Sequence, residues 1–148
     1  MSVERFIDAQ KEDYDMAFRE ISKGKKINHY MWYIFPQVKG LGRSSTANYY
    51  GIDGLKEARE YMKNEYLANN LIDISNELLK LETNDPVAIF GPIDSKKLRS
   101  SMTLFELVSD NEVFSLVLEK YYDGKRDQKT LDSIKSLILI FFKYFYFF

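Results

Sequence analysis

Apolar side chains recur at spacings of three and four residues along most of this chain, and that spacing is typical of amphipathic helices. The clearest run is Leu67, Leu71, Ile74, Leu78 and Leu81. Before the C-terminal tail, no alternating strand pattern competes with the helical one. We therefore predict an all-α fold, a single compact domain of about six to eight helices, some of them short.

Capping residues and helix breakers predict where these helices begin and end. Ser2 caps a first helix that ends near Gly24. The inward face of this helix is expected to be Phe6, Gln10, Ala17 and Ile21. Further helix starts are expected at Ser44 or Ser45, Asp53, Pro86, Asp94 or Ser95, Asp110 or Asn111, and Asp127.

One stretch, from His29 to Ser45, differs from the helical remainder and reads HYMWYIFPQVKGLGRSS. It contains the only histidine and the only tryptophan, and its aromatic residues run into Pro-Gln and a Gly-Leu-Gly-Arg-Ser-Ser turn. Residues 29–35 are too few for periodicity to decide between helix and strand. We interpret the stretch as the lining of a ligand pocket that the helices support.

Composition and charge narrow the classes of function. The 148 residues include 11 Tyr and 11 Phe, which predicts a core rich in rings. A net charge of −1 gives no overall attraction for a nucleic acid polymer or an anionic membrane. With no cysteine there is no disulfide or thiolate chemistry, and the first ten residues lack the apolar core of an export signal. We expect a cytoplasmic protein.

The tail, residues 136–148, reads SLILIFFKYFYFF. It is too short for a membrane span, which needs about 20 apolar residues. Four interpretations stay open: a final core helix, a subunit interface, an interfacial membrane anchor, or a partly disordered end.

His29 is the candidate catalytic residue, because histidine alone has an unperturbed pKa near neutrality. It would act as a general acid or base, or donate a hydrogen bond to phosphate, with Gln37 close by. The alternative is a structural histidine that donates to a backbone carbonyl. No second histidine and no cysteine accompany it, so we expect neither a metal site nor a cofactor.

Two Arg-Ser-Ser segments are candidate anion sites. In the first, Gly42, Arg43 and Ser44 offer backbone N–H groups, a guanidinium and a hydroxyl, although neither a P-loop nor a dinucleotide fingerprint is present. In the second, Lys97, Arg99 and Ser100 lie near the start of a predicted helix, whose dipole favours an anion. The alternatives are an ordinary turn and a solvated helix face.

Aromatic residues of the central stretch and just after it are mostly expected in the core. We assign Trp32 and one of Tyr49 or Tyr50 to ligand contact, with Tyr50 as the choice between the two tyrosines, since a ring can stack on a base for about 1–3 kcal/mol.

Taken together, these segments resemble a bacterial family known as domain of unknown function 1810. The resemblance covers roughly residues 4–132. It rests on RFIDAQ from Arg5, HYMWYIFPQ from His29, GLGRS from Gly40, the 47–50 region, DPVAIFG from Asp85 and KLRSSMTLF from Lys97. It implies a compact helical domain and carries no established activity. The aromatic tail departs from the family pattern.

Our leading hypothesis is a domain that binds a small phosphate-bearing metabolite, such as a nucleotide or an ADP-ribose-like signal, and that sequesters a nucleotide immune signal. One alternative is a hydrolase of nucleotide or ADP-ribose derivatives that uses His29 as acid or base. Another is a protein-interaction module, most simply a homo-oligomer. The pattern does not decide whether any bond is broken.

Overall fold

The computed structural model describes residues 2–135, and helices make up most of that length. Seven helices are α1 Glu4–Ser22, α2 Met31–Ile34, α3 Ser45–Tyr50, α4 Gly54–Lys63, α5 Glu65–Lys80, α6 Pro86–Glu106 and α7 Val113–Tyr122. An eighth, α8, occupies residues 128–135. Within this part of the chain the extended structure is one isolated parallel bridge, between Val38 and Ile52. The prediction of an all-α fold is confirmed, whereas the expectations for the tail concern residues outside the described range.

Helix α5 lies at the centre of the packing and contacts α1, α4 and α7, while α6 packs along α7 and α2 lies against α1 and α3. The predicted apolar face of α5 is buried through Leu67, Leu71, Ile74 and Leu78. Leu81 follows the helix end and is half-buried against the core. Across residues 2–135, no helix has the length and apolarity that crossing a membrane requires.

Aromatic rings are prominent in the core, as the composition predicts. The largest fully buried side chains include Tyr30, Tyr61, Phe6, Phe35, Phe105 and Phe114. Gln10 is buried among them with its amide satisfied, because Nε2 donates to Tyr33 O at 2.8 Å and to Tyr61 Oη at 2.9 Å. The amide of Gln10 is therefore paired, as burial of a polar group in the core requires.

Helix α6 is bent at Gly91, whose φ of 80° and ψ of 169° are not helical. Pro92 follows and restarts the helix, since a proline in the first turn lacks an N–H that would have no partner there. The predicted break is confirmed, but neither Asp94 nor Ser95 caps the new segment. Asp94 instead binds lysines, and the Ser95 hydroxyl donates to Pro92 O at 3.0 Å.

A buried arginine ties the N-terminus to the chain between α3 and α4. Arg5 Nη1 and Nη2 donate to the two carboxylate oxygens of Glu57 at 2.9 and 2.8 Å. Its Nε donates to Tyr49 O and its Nη2 to Gly51 O, both at 2.8 Å. The chain that leads into the Val38–Ile52 bridge is thereby held at a defined position.

Candidate functional site

A groove lies between the second half of α6, the 37–42 loop and the start of α8. Its cavity volume is about 510 Å³, within the usual range for a small-molecule site. The lining residues are Gln37, Leu41, Gly42, Ile93, Lys96, Lys97, Arg99, Ser100, Asp127, Gln128 and Lys129. We refer to this cavity as the basic groove.

Positive charge dominates the basic groove. Four cationic side chains line it, Lys96, Lys97, Arg99 and Lys129, against the single carboxylate of Asp127. Lys96 and Lys129 are exposed and form no ion pair with any residue in 2–135. Because low-dielectric walls concentrate the field in a cleft, this arrangement attracts anions even though the whole chain is nearly neutral.

Arg99 is partly buried, and its guanidinium lies beside the carboxylate of Asp127. Its Nε is buried and has no hydrogen-bond partner in the described part of the chain. Its Nη2 lies 3.8 Å from Asp127 Oδ1, beyond hydrogen-bond distance, and its guanidinium carbon lies 5.9 Å from the centre of the Tyr122 ring. A buried N–H without an acceptor destabilises the protein. A ligand oxygen that accepted a hydrogen bond from it would therefore gain binding free energy.

Asp94 holds Lys97 at the edge of the basic groove. Its carboxylate receives Lys26 Nζ at 2.9 Å and Lys97 Nζ at 3.2 Å. Burial acts to raise the pKa of Asp94, but hydrogen bonds and charge from the two lysines outweigh it, and the net effect is a lowered pKa. Lys97 Nζ also lies 5.4 Å from the centre of the Trp32 ring. The lysine is thus shared between a carboxylate and an indole.

A narrow crevice adjoins the basic groove and shares Gln37 and Gly42 with it. Its other walls are Trp32, Val38, Ala47, Tyr50 and Gly51. The free volume is about 20 Å³, which is too little for a nucleobase. Tyr50 packs on Tyr33, with ring centres 5.1 Å apart, and burial raises the pKa of its hydroxyl. The crevice is therefore an aromatic wall rather than an open slot.

Close backbone contacts fix the loop that separates the crevice from the groove. Lys39 N donates to Ile52 O and Ile52 N donates to Gln37 O, both at 2.8 Å. A Cβ on Gly51 would lie 2.8 Å from Lys39 Cα, so a larger residue does not fit there. The Ser44 hydroxyl accepts a hydrogen bond from Ala47 N at 3.0 Å and caps α3.

The loop before α2 is held in place by hydrogen bonds to Glu20, and it forms no part of the groove lining. Glu20 accepts hydrogen bonds from Ile27 N at 2.7 Å, Asn28 N at 3.0 Å and the Tyr30 hydroxyl at 2.8 Å. Burial acts to raise the pKa of Glu20, but these bonds and that from the Asn28 amide lower it to about 2. His29 in this loop is exposed and does not line the basic groove or the crevice.

The structure brings together most, but not all, of the residues predicted as a site. The groove contains Gln37, Gly42, Lys97, Arg99 and Ser100. The crevice contains Trp32 and Tyr50, together with Gln37 and Gly42 again. His29, Arg43 and Ser44 lie at exposed positions outside both linings.

Sequence reasoning missed the contribution of α8, which adds Asp127, Gln128 and Lys129 to the groove. Asp127 was expected to cap this helix, and it does, because Oδ2 accepts from Thr130 N at 3.0 Å. That cap places Lys129 in the first turn, but only the packing of α8 against α6 shows which surface the turn faces.

A second cavity provides a contrast within the same molecule. It has a similar volume, about 530 Å³, and is lined by Phe18, Asp73, Asn76, Glu77, Leu79 and Lys80. Here two carboxylates face one lysine, so this cavity does not suit an anion. No cluster of three or more His, Asp or Glu side chains in residues 2–135 is placed to hold a metal ion.

The fold and groove define a helical domain with a cationic cleft on its surface. The chain belongs to the family described as protein of unknown function (DUF1810), which it matches over residues 1–134. It is similar to the conserved hypothetical protein Rv1873 from Mycobacterium tuberculosis, known from a crystal structure. The two are 38% identical with a TM-score of 0.88 over 90% of this chain and 96% of the other. None of the curated proteins matches this chain.

Proposed function

We propose that this protein binds a small phosphate-bearing metabolite in the basic groove. The observation that carries the proposal is Arg99, whose buried Nε lacks a partner in the described residues and whose neighbours in the groove are three lysines. A guanidinium grips phosphate with parallel hydrogen bonds, and lysines add point charges. The acidic cavity of similar volume offers no such set of donors.

The dimensions favour a ligand of nucleotide size. A cavity of about 510 Å³ accommodates a phosphate with an attached sugar, as in a nucleotide or an ADP-ribose-like molecule. The crevice beside Trp32 is too small for a base in this conformation, so the phosphate end supplies the principal recognition. Stacking on Trp32 or Tyr50 would require the wall between crevice and groove to move.

Calorimetric titration with AMP, ADP-ribose and uncharged adenosine tests the proposal. We expect binding of the two phosphate-bearing compounds, at least about 10-fold weaker binding in Arg99→Gln, and no binding of adenosine. Arg43→Gln is the matched control, because it removes the same charge from an exposed position outside the groove. Equal losses in the two variants would point to general charge attraction, and no binding by the wild type would reject the proposal.

The same mixtures separate binding from turnover. A protein that sequesters a nucleotide signal returns it intact after long incubation, whereas the hydrolase predicted around His29 would release products. Mass analysis of the recovered ligand decides between the two. Loss of product formation in His29→Ala, with binding retained, would favour the hydrolase.

A further inference from the structure

Asp127 is the one acidic side chain that lines the basic groove, and its position is unusually well fixed. Its Oδ2 accepts hydrogen bonds from Thr130 N at 3.0 Å and from the Thr130 hydroxyl at 2.6 Å. Its N–H donates to Thr103 Oγ1 at 2.9 Å, and that hydroxyl donates to Arg99 O at 2.8 Å. Thr130 therefore orients the carboxylate, and Thr103 links the backbone N–H of Asp127 to the backbone carbonyl of Arg99.

The second carboxylate oxygen of Asp127, Oδ1, faces Arg99 rather than Thr130. Oδ1 faces Arg99 Nη2 at 3.8 Å and accepts no hydrogen bond from any residue in 2–135. Asp127 is 9% exposed, but Oδ1 keeps accessible surface, so a group bound in the groove can reach this oxygen. The groove therefore has a carboxylate oxygen that can accept a hydrogen bond, and beside it the guanidinium of Arg99, whose Nε has no partner in residues 2–135.

A phosphate alone cannot satisfy both groups, because its charge is repelled by the carboxylate. A hydroxyl donates to a carboxylate oxygen, in the way that acidic residues hold ribose hydroxyls in dinucleotide sites. A ligand that carries phosphate and hydroxyl on one small framework satisfies Arg99 and Asp127 together.

We propose that Asp127 makes the groove selective for phosphorylated sugars, with phosphate at Arg99 and a sugar hydroxyl at Asp127 Oδ1. This inference rests on the proposed function and names the ligand class for the same site. A site built to bind a hydroxyl discriminates strongly against an analogue that lacks it, since its polar group is then left without a partner.

The test compares ribose 5-phosphate with n-pentyl phosphate by calorimetry. Both carry a monoester phosphate on a five-carbon framework, and they differ in the hydroxyls and the ring oxygen. We expect the wild type to bind ribose 5-phosphate at least about 10-fold more tightly. In Asp127→Asn, binding of pentyl phosphate should strengthen, because the repelling charge is gone, and binding of ribose 5-phosphate should weaken, so that the ratio approaches one.

Thr130→Val is the matched control. It removes the hydroxyl that donates to Oδ2 but leaves Oδ1 in the groove, so the preference should persist even if the protein is less stable. Equal affinities of the wild type for the two phosphates would overturn the inference while leaving the proposed function intact. Failure of the wild type to bind either phosphate would also overturn the inference, whereas the proposed function is decided separately by the titrations with AMP and ADP-ribose. A wild-type ratio near one would overturn the inference even if Asp127→Asn does not fold.

Discussion

A Cβ atom placed on Gly42 would lie 2.5 Å from the Cβ of Ala47. Non-bonded carbon atoms do not approach so closely. The loop that carries Gly42 therefore packs directly against the first turn of α3. Gly42 lines both the basic groove and the aromatic crevice, and this contact therefore sets the distance between the two. The sequence indicates only that Gly42 lies in a turn, whereas the structure shows that a side chain at this position would collide with Ala47.

Gly42→Ala should move the loop away from α3. We expect a loss of about 1–3 kcal/mol in the free energy of unfolding, as for other overpacked sites, and weaker binding of phosphate-bearing ligands. Ala47→Gly in the same chain should restore much of both, because the added methyl group would then meet Ala47 Cα at 4.0 Å. Urea denaturation and calorimetry of the two single variants and the double variant measure this coupling.

Ala47→Gly alone is the control, and it should cost only about 1 kcal/mol as a helix substitution. If the unfolding free energies of Gly42→Ala and Ala47→Gly simply added in the double variant, the two residues would not be in contact.

Arg5→Lys should destabilise the protein by about 1–3 kcal/mol, because a lysine keeps the charge but leaves buried acceptors without a donor. The Arg5 and Glu57 side chains are 4% and 5% exposed, and the guanidinium also donates to Tyr49 O and Gly51 O. A lysine ammonium cannot make all of these bonds in the same geometry. Arg59→Lys, at an exposed position of α4, is the control for chemical denaturation and should change stability by less than about 0.5 kcal/mol.

The helical fold follows from the sequence because local signals suffice for it. The spacing of Leu67, Leu71, Ile74 and Leu78 and the glycine at position 91 predict elements that the structure contains. The site was only partly predictable, since it depends on which surfaces meet. Lys97 and Arg99 were predicted from their own segment, whereas Asp127 enters the groove only because α8 packs beside α6. Arg43 and Arg99 have similar local sequences, and only tertiary structure distinguishes them.

The hydrogen bonds that Glu20 accepts predict that the wild type is more stable than Glu20→Gln by an amount that depends on pH. The folded-state pKa of Glu20 is about 2, below the ordinary value of 4.5, so the ionised carboxylate stabilises the fold above pH 4.5. This contribution is lost as the pH falls from 4.5 towards 2. Glu20→Gln should lower stability by about 1–2 kcal/mol at pH 7, a figure that allows for solvent screening at this partly exposed position.

Urea midpoints measured between pH 2 and pH 7 test this difference. The wild type and Glu20→Gln should converge at the acid end, because the protonated wild type has lost the same charge. Glu12→Gln, an exposed position on the same helix, is the control and should follow the wild type throughout. A Glu20→Gln deficit that stayed constant with pH would show that the charge is not responsible.

The single tryptophan should report occupation of the basic groove. Lys97 Nζ lies 5.4 Å from the centre of the Trp32 ring and 3.2 Å from Asp94 Oδ1. A phosphate bound at Arg99 competes for this ammonium and draws it away from the indole, which removes a cation–π contact. We expect the emission of Trp32 to change saturably as AMP or ribose 5-phosphate is added.

Two groove variants distinguish this mechanism from direct contact with the ring. Lys97→Met should nearly abolish the emission change at saturation, even where calorimetry shows residual binding. Lys129→Met should weaken binding by a similar electrostatic amount but keep the full change at saturation, because Lys129 lines the groove from α8. A full emission change in Lys97→Met would mean that the ligand itself reaches Trp32, and the crevice would then have to open when the groove is filled.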